Sequence, residues 1–350
     1  MARIKKILVL FASLALLAAA CGGDDNSEDG GDDEGAAAAA DGPSVGLVFD
    51  IGGRGDQSFN DSAAAGMDAA VASVGATTSE SSPNEDGSNR AELLQLQADN
   101  SDLVIGVGFL FDESIAEVSA ANPEINFAIV DGFVDAENVA SLGFAEEQGS
   151  FLVGAAAALT SETGKIGFIG GVNFELIQKF EAGFVAGAKQ VNPDIEIDVQ
   201  YITEPPDFGG FSDPAKAKVI ATSMYEGGAD VVFHAAGGSG AGLFEAASDA
   251  GDAGSVWAIG VDSDQYLTAD PGVQPYILTS MLKRVDVAVQ KTIEAQADGS
   301  FVGGPQAFDL SVDGVGYSTS GDFLSGDVID QLEDLKAQII AGDITVPTAP

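Results

Sequence analysis

The stretch that decides the fold is VGLVFDIGGRGDQSFND, residues 45–61. An apolar run leads into Asp50, and a glycine-rich loop follows. Phe59 and Asn60 then open an alanine-rich segment that predicts a helix. A strand that ends at a carboxylate and turns on glycines into a helix lies at the carboxyl edge of a parallel sheet, where open α/β sheets bind ligands. We therefore expect Asp50 to offer a hydrogen-bond acceptor and Phe59 a stacking surface; packing of Phe59 onto its own helix is the alternative.

The composition limits the partners that the protein can have. The 350 residues include 14 lysines and arginines against 55 aspartates and glutamates, a formal net charge of −41. Without a basic stripe to neutralise phosphates, nucleic acid, anionic membranes and free nucleotides are disfavoured. The charge by itself indicates a solvated surface. A single cysteine excludes an internal disulfide and a cysteine-based metal site.

The first 43 residues predict a leader and a tether. Residues 1–20 combine a basic start, a short apolar run and small residues, which is typical of a secretory signal peptide. The cysteine that follows, Cys21, resembles the lipidated first residue of a mature bacterial lipoprotein; an ordinary signal with an incidental cysteine is the alternative. Residues 21–43 are rich in Gly, Asp and Ala without apolar periodicity, and predict a disordered tether without a calcium loop.

From residue 44 onward the pattern alternates between strand and helix. Apolar runs of strand length occur at 45–49, 103–107, 126–130, 139–144, 165–170, 195–202, 230–235, 256–261 and 275–279. Alanine-rich segments that predict helices lie between most of them. This alternation predicts parallel sheets with helices on both faces, and so many strands suit two doubly wound lobes.

Three of the apolar runs end in an aspartate: Asp131 closes NFAIVD and Asp262 closes VWAIGVD, as Asp50 closes the first run. A strand-terminal aspartate is often a helix cap or loop anchor. Three of them on the side of the sheets where clefts form also suit a ligand site. Because carboxylates accept from N–H and O–H groups, a neutral polar ligand such as a sugar or nucleoside fits them. Lys283 is either a surface charge or a cation that donates to ligand hydroxyls and keeps Asp50 and Asp262 ionised.

The run ADVVFHAAGGSGAGLFEAA, residues 229–247, predicts a strand, a glycine turn and a helix. Its glycines are spaced as GxGxG, which departs from the GxGxxG of a dinucleotide site. His234 is the only histidine, and on a buried strand a histidine is more often a core residue than an acid or base. Ser-His-Asp and zinc chemistry are therefore disfavoured, and we expect no enzyme activity, cofactor or metal.

Eight motifs share their order and character with one family. They are VGLVFDIGGRGDQSFNDSAAAG, FAIVDG, SLGFAEEQGSFLVGAAAALTS, KIGFIGG, FEAGFVAGAK, FHAAGGSGAG, IGVDSDQ and TSMLKRVDVAV. The chain thereby resembles the basic membrane protein family, substrate-binding lipoproteins of nucleoside ABC transporters that include the purine nucleoside receptor type. The resemblance implies an α/β type I periplasmic-binding-protein fold of two Rossmann-like lobes joined by three crossovers. It assigns 44–145 and about 266–300 to the N-terminal lobe, and 146–265 and about 301–350 to the C-terminal lobe.

The resemblance implies that the base of a nucleoside stacks on Phe59. It also implies that Asp131 accepts a hydrogen bond from the edge of the base, which favours a purine with an N1 proton. A second stacking aromatic is expected from the other lobe. Phe233 or Phe174 is nearest in position, and His234 could replace it.

For the rest of the ligand, the resemblance implies that Asp50 and Asn60 form the cleft wall. Asp262 and Lys283 would hold the ribose hydroxyls, and the loop Gly237–Gly238 would approach the sugar. Closure of the lobes would bury the ligand.

The resemblance further implies that the protein delivers its nucleoside to ABC transporter permease subunits. A lipid such as palmitate on Cys21 would hold it at the extracytoplasmic face of the cell membrane. Two other classes stay open. One is a sugar- or signal-molecule-binding protein of the same fold. The other is a nucleoside hydrolase-like enzyme, although Asp50, Asp56 and Asp61 are spaced more widely than the aspartate cluster of that family.

Overall fold

Two six-stranded sheets organise the part of the chain that the computed structural model describes, residues 42–84 and 86–350. The predicted signal peptide, Cys21 and almost all of the predicted tether lie outside these residues. The first sheet has the order β11-β5-β4-β3-β1-β2, with all its pairs parallel. Its strands are β1 (Ser44–Val48), β2 (Thr77–Ser81), β3 (Leu103–Val107), β4 (Asn126–Val130), β5 (Val139–Phe144) and β11 (Gly304–Phe308).

The second sheet has the order β12-β10-β9-β8-β6-β7, and only β12 is antiparallel to its neighbour. Its strands are β6 (Lys165–Val172), β7 (Glu196–Thr203), β8 (Val231–Ala235), β9 (Trp257–Asp262), β10 (Ile277–Lys283) and β12 (Val315–Tyr317). Central strands such as β3 and β8 are buried along their whole length. That burial requires helices on both faces of each sheet, and it explains the unbroken apolar runs.

Ten α-helices cover the sheets in the described residues. They are α1 (Phe59–Val74), α2 (Arg90–Ala98), α3 (Asp112–Ala121), α4 (Glu146–Thr160), α5 (Glu175–Val191), α6 (Pro214–Glu226), α7 (Gly240–Ala250), α8 (Gln265–Thr268), α9 (Val285–Asp298) and α10 (Gly326–Ala341). Helices α1, α2, α3 and α9 pack on the first sheet or on each other, and with it form the first lobe. The other six belong with the second sheet, and together form the second lobe. None of these ten helices combines the length and the apolar character that a membrane crossing needs.

The α/β fold class with two lobes is confirmed, but three edge strands were not predicted. Strand β2 reads TTSES and is mostly exposed, so it has no apolar run. Strands β11 and β12 are two further edge strands, and both are short and only partly buried. An edge strand has one neighbour, so its sequence carries less of the apolar signal that marks a central strand.

The chain crosses between the lobes three times, but two crossings differ from the expected boundaries. Strand β10 pairs with β9 in the second sheet, although 266–300 was expected in the first lobe. Strand β11 pairs with β5 in the first sheet, although 301–350 was expected in the second lobe. Between them, α9 does lie in the first lobe: it packs on α1, where a Cβ added to Gly66 would lie 2.2 Å from the Asp286 carbonyl oxygen. Strand pairing is a long-range contact, which the local pattern does not encode.

Candidate functional site

A cleft of about 580 Å³, counted with its open part, lies between the carboxyl edges of the two sheets. Loops that follow β1, β3 and β4 line it from the first lobe, and the ends of β8, β9 and β10 line it from the second. Helix α5 and the loop after β7 complete the wall. Since open α/β sheets bind ligands at this edge, the cleft is the candidate site.

Asp50 forms part of the first-lobe wall, as predicted. Its backbone N–H donates to Asn60 Oδ1 at 2.9 Å, and its own Oδ1 accepts from the Ile51 N–H at 2.8 Å. Burial raises the pKa of Asp50 to about 6, against the lowering effect of the Ile51 N–H and of Arg90, whose guanidinium lies 3.8 Å from Oδ1. Asn60 also lines the cleft, but its side chain mainly fixes the loop.

Asp56 is a cleft residue that sequence reasoning considered only as part of a rejected aspartate cluster. Its Oδ1 accepts from the Ser58 and Asp61 backbone N–H groups, at 2.9 and 3.1 Å. Its Oδ2 accepts from the backbone and side-chain N–H groups of Asn60, both at 2.9 Å. These contacts satisfy the first N–H groups of α1, because Ser58 makes no side-chain cap. The spacing Asp-x-Ser before a helix is a signal that could have found this role.

Asp131 and Asp262 occupy equivalent places in the two lobes, each where a central strand ends. Both adopt left-handed backbone conformations, with φ of 63° and 64°. Non-glycine residues rarely do so, and aspartate and asparagine are among those that tolerate it best. Both side chains line the cleft. The sequence prediction that these strand-terminal carboxylates meet at one cleft with Asp50 agrees with this geometry.

The two carboxylates differ in their partners. Asp131 Oδ2 accepts from the Lys283 ammonium, whereas Oδ1 is buried and has no hydrogen-bond partner within residues 42–84 and 86–350. Asp262 Oδ2 accepts from Ser58 Oγ at 2.5 Å, a contact that joins the lobes. Burial raises the pKa of Asp131 to about 6 and that of Asp262 to about 7, with Lys283 as the main opposing influence. Asp131 is therefore a lining residue whose Oδ1 is still able to accept a hydrogen bond.

Lys283 ends β10 and is almost completely buried, with 2% of its side chain exposed. Besides Asp131, it lies 3.2 Å from Glu146 Oε1. Burial works against its charge, but the neighbouring carboxylates outweigh burial and raise the pKa of Lys283. Its ammonium also lies 5.1 to 5.6 Å from the ring centroids of Phe59, Phe144 and Phe180. Lys283 lines the cleft, but its ammonium is held by groups of the protein.

Phe233 does not line the cleft, which corrects the expectation that it faces a ligand. Its side chain is fully buried, with ring centroids 5.6 Å from Phe168 and 5.3 Å from Phe184. The next residue, His234, is buried as well, and its Nε2 lies 3.0 Å from Gln265 Oε1. Burial lowers the pKa of His234 to about 4, so it is a neutral core residue at physiological pH. Strand β8 lies inside the sheet, where both faces are covered by helices.

The second lobe instead brings Phe211 to the cleft. Phe211 stands in GGFSD, a polar and glycine-rich loop like the one that holds Phe59, and this resemblance is the signal that could have found it. Phe109, after β3, lines the cleft too, and its ring stacks on Phe174 of the second lobe with centroids 4.6 Å apart. Phe174 therefore contacts the cleft rim through Phe109 and does not itself line the cleft.

The two glycines of the turn after β8 differ in their position relative to the cleft. Gly237 lines the cleft and has a φ of 53°, which favours glycine. Gly238 is not among the lining residues; a Cβ added to it would lie 3.5 Å from Asp56 Cβ, so the turn approaches the first lobe there. Of the predicted site residues, the structure brings together Asp50, Phe59, Asn60, Asp131, Gly237, Asp262 and Lys283.

Further contacts hold the first-lobe loop against the second lobe. Gln265 Nε2 donates to the Gln57 carbonyl oxygen at 3.1 Å, and Ser263 Oγ donates to the Ser58 carbonyl oxygen at 3.4 Å. With the Ser58–Asp262 contact, they draw the lobes together around the cleft. Within the described ranges, no group of three or more histidine, cysteine, aspartate or glutamate side chains is arranged to hold a metal ion.

The fold and the cleft define a two-lobed solute-binding protein. The family described as "ABC transporter substrate-binding protein PnrA-like" (Bmp) matches residues 44–349, and the chain belongs to this family. Its motifs had indicated the same family, which is confirmed. Substrate-binding proteins of ABC transporters act outside the cytoplasm and have a ligand and permease subunits as partners.

Individual relatives agree with this assignment. The chain is 40% identical to the "CD4+ T-cell-stimulating antigen" of Listeria monocytogenes over 88% of each chain. It is 37% identical to the "ABC transporter nucleoside-binding protein BmpA" of Lactococcus lactis, over 86% of this chain and 88% of that one. Among solved structures, a solute-binding protein of an ABC transporter system from Aeropyrum pernix matches with a TM-score of 0.77 and 30% identity, over 87% of this chain and 93% of that one.

Proposed function

We propose that the protein binds a nucleoside, by preference a purine nucleoside, in the cleft and delivers it to the permease of an ABC transporter. The observation that carries this proposal is the unpartnered Oδ1 of Asp131, buried in a cleft that also presents the rings of Phe59 and Phe211. A purine with an N1 proton supplies both a flat ring and an N–H donor. The name of the Lactococcus relative supports the same ligand class.

The ring of the base would lie on Phe59, with Phe211 as the aromatic of the other lobe. Stacking of a base on an aromatic side chain contributes about 1–3 kcal/mol. The free oxygen of Asp131 would accept from the base edge, and the carboxylate of Asp262 would accept from ribose hydroxyls. Asp262 keeps capacity for this role, because Ser58 Oγ occupies only Oδ2.

The charge of the cleft disfavours nucleotides. Four carboxylates line it against the single ammonium of Lys283, and that ammonium is already paired. A phosphate would meet repulsion without a compensating donor. We therefore expect the protein to distinguish a nucleoside from its monophosphate by charge, and from the free base by the hydroxyl contacts.

A thermal-shift screen followed by calorimetry tests the proposal. We expect inosine or guanosine to raise the unfolding temperature, and ribose, hypoxanthine and inosine monophosphate to raise it much less. A shift with pentoses or hexoses and none with nucleosides would instead show a sugar-binding protein of the same fold. No catalytic step is part of the proposal: release of hypoxanthine from inosine during incubation would replace it with an enzyme.

We also propose that a lipid on Cys21 anchors the protein at the extracytoplasmic face of the cell membrane. The signal-like residues 1–20 and the cysteine that follows them support this anchor. Labelling cells with a palmitate analogue should label the wild type and leave a Cys21→Ala variant unlabelled. An unlabelled wild type that is nevertheless secreted would show an ordinary signal peptide.

A further inference from the structure

A buried cluster of charges lies behind the cleft, and one of its members has no role in the site as described so far. Glu146 is the first residue of α4 and is fully buried. Its carboxylate lies between two cations: Oε1 is 3.2 Å from Lys283 Nζ, and Oε2 is 3.3 Å from Lys179 Nζ. Glu146 does not line the cleft, so any effect on a ligand must pass through Lys283 or Asp131.

The position of the Glu146 carboxylate is firmly fixed. Helix α4 packs closely on α5, since a Cβ added to Gly183 would lie 2.1 Å from the Glu147 carbonyl oxygen. Lys179 comes from α5, the helix that also places Phe180 against the cleft. The packing of the two helices and the ammonium of Lys179 therefore hold this carboxylate, whereas the ammonium of Lys283 sits on a flexible four-carbon stem.

The placement of Lys283 decides how much of Asp131 is available. An ammonium has three donors and could turn to both oxygens of Asp131, or towards Asp262. In the structure it donates to Oδ2 alone and lies 3.2 Å from Glu146 Oε1, while Oδ1 stays without a partner in the described ranges. Glu146 Oε1 makes no hydrogen bond with the ammonium but attracts it by charge, and this attraction limits the movement of the ammonium towards the cleft.

We propose that Glu146 is a positioning residue for the ligand: its buried carboxylate holds the Lys283 ammonium against one oxygen of Asp131 and leaves the other oxygen free for a ligand N–H. The proposal rests on the proposed function, because it assigns the free oxygen to a nucleoside. Glu146 also acts on Asp131 through its charge, which raises the pKa of that carboxyl group.

The test compares Glu146→Gln with Glu147→Gln by calorimetry with inosine at pH 7.5. The control removes a neighbouring, largely buried carboxylate from the same helical turn, so both variants change the charge at the start of α4 equally. We expect Glu146→Gln to bind about tenfold more weakly, which corresponds to about 1.4 kcal/mol, and Glu147→Gln to bind like the wild type. Equal affinity of both variants and the wild type would overturn the inference.

A pH profile separates positioning from a general loss of stability. The charged groups that face Asp131 are Lys283 from β10, Glu146 from α4, Lys179 from α5, and the carboxylates of Asp50 and Asp262. Removing the negative charge of Glu146 lowers the pKa of Asp131, so the lower part of the acid limb of inosine binding, which follows Asp131 and not Asp262, should move to lower pH in Glu146→Gln. An unmoved acid limb would contradict the proposal, since mere destabilisation leaves this midpoint where it is.

A double-mutant cycle completes the test. If Glu146 acts through Asp131, Glu146→Gln should change the affinity little in the Asp131→Asn background, and additive effects would contradict the inference.

Should Glu146→Gln fail to fold, Glu146→Asp keeps the charge but shortens the reach to Lys283, and wild-type affinity in that variant would overturn the inference. A wild type that binds no nucleoside would overturn the proposed function and this inference together, whereas unchanged binding in the variants overturns the inference alone.

Discussion

Replacing Asp131 with asparagine tests whether its unpartnered oxygen accepts a hydrogen bond from the ligand. In the wild type, Lys283 occupies one carboxylate oxygen and the other has no partner among the described residues, so we propose that it accepts from the ligand. An asparagine must turn its carbonyl oxygen to the ammonium, and its NH2 group then faces the ligand N–H, donor against donor. The loss of a hydrogen bond to a charged group costs about 1.5–3 kcal/mol, which corresponds to about a 10- to 150-fold weaker affinity. Asparagine tolerates the φ of 63° at this position, whereas alanine would add backbone strain.

The assay is calorimetry with inosine at pH 7.5, with circular dichroism to show that the variant is folded. Asp313→Asn is the matched control: it makes the same chemical change at another left-handed residue, with φ of 53°, whose side chain is 81% exposed and outside the cleft. Wild-type affinity in a folded Asp131→Asn protein would refute the reasoning, because Asp131 would then not contact the ligand. Weaker binding in the control as well would show that the change acts through the backbone.

Four further outcomes are expected. Inosine affinity should fall as the pH drops from about 8 to about 5, because the pKa of Asp262 is raised to about 7 and that of Asp131 to about 6; a flat calorimetric profile would contradict this. The same raised pKa values mean that the folded state binds protons more tightly than the unfolded state, so the contribution of these groups to unliganded stability should fall as the pH rises from about 4 to about 7 in denaturant titrations. Phe211→Ala should weaken inosine binding with little change in unliganded stability, whereas Phe233→Ala should lower stability by about 3–5 kcal/mol, and the reverse pattern would exchange their roles. Gly66→Ala should lower the free energy of unfolding by about 1–3 kcal/mol, because its methyl group would meet the backbone of α9; an unchanged denaturation midpoint would show that the helices can separate freely.

Much of the first lobe could be read from the sequence. The helix expected to open at Phe59 and Asn60 is α1, which begins at Phe59, and Gly75 at its end has the left-handed conformation that glycine favours. The apolar runs that end at Asp50, Asp131 and Asp262 are strands that end at the cleft. These features depend on local causes: apolar periodicity, caps and glycine conformations lie within a few residues of the positions they determine.

Other features were decided by tertiary structure. Phe233 and Phe211 are both phenylalanines of the second lobe, but Phe233 lies in the core at the centre of β8 and Phe211 lies in the cleft. The packing of helices over β8 is what buries Phe233. The same holds for Glu146, an ordinary glutamate at a helix start until the fold places two lysines beside it.

The sequence by itself therefore determined the strand-loop-helix unit at residues 45–61, the alternation that makes two parallel sheets, and the aspartates at their edges. Tertiary structure alone decided which sheet β10 and β11 join, which aromatic rings face the cleft, and which oxygen of Asp131 stays free. The physical reason is distance along the chain. Backbone conformation follows from near neighbours, whereas strand pairing, burial and charge pairing follow from residues such as Asp131 and Lys283, which are 152 positions apart and meet only in the folded protein.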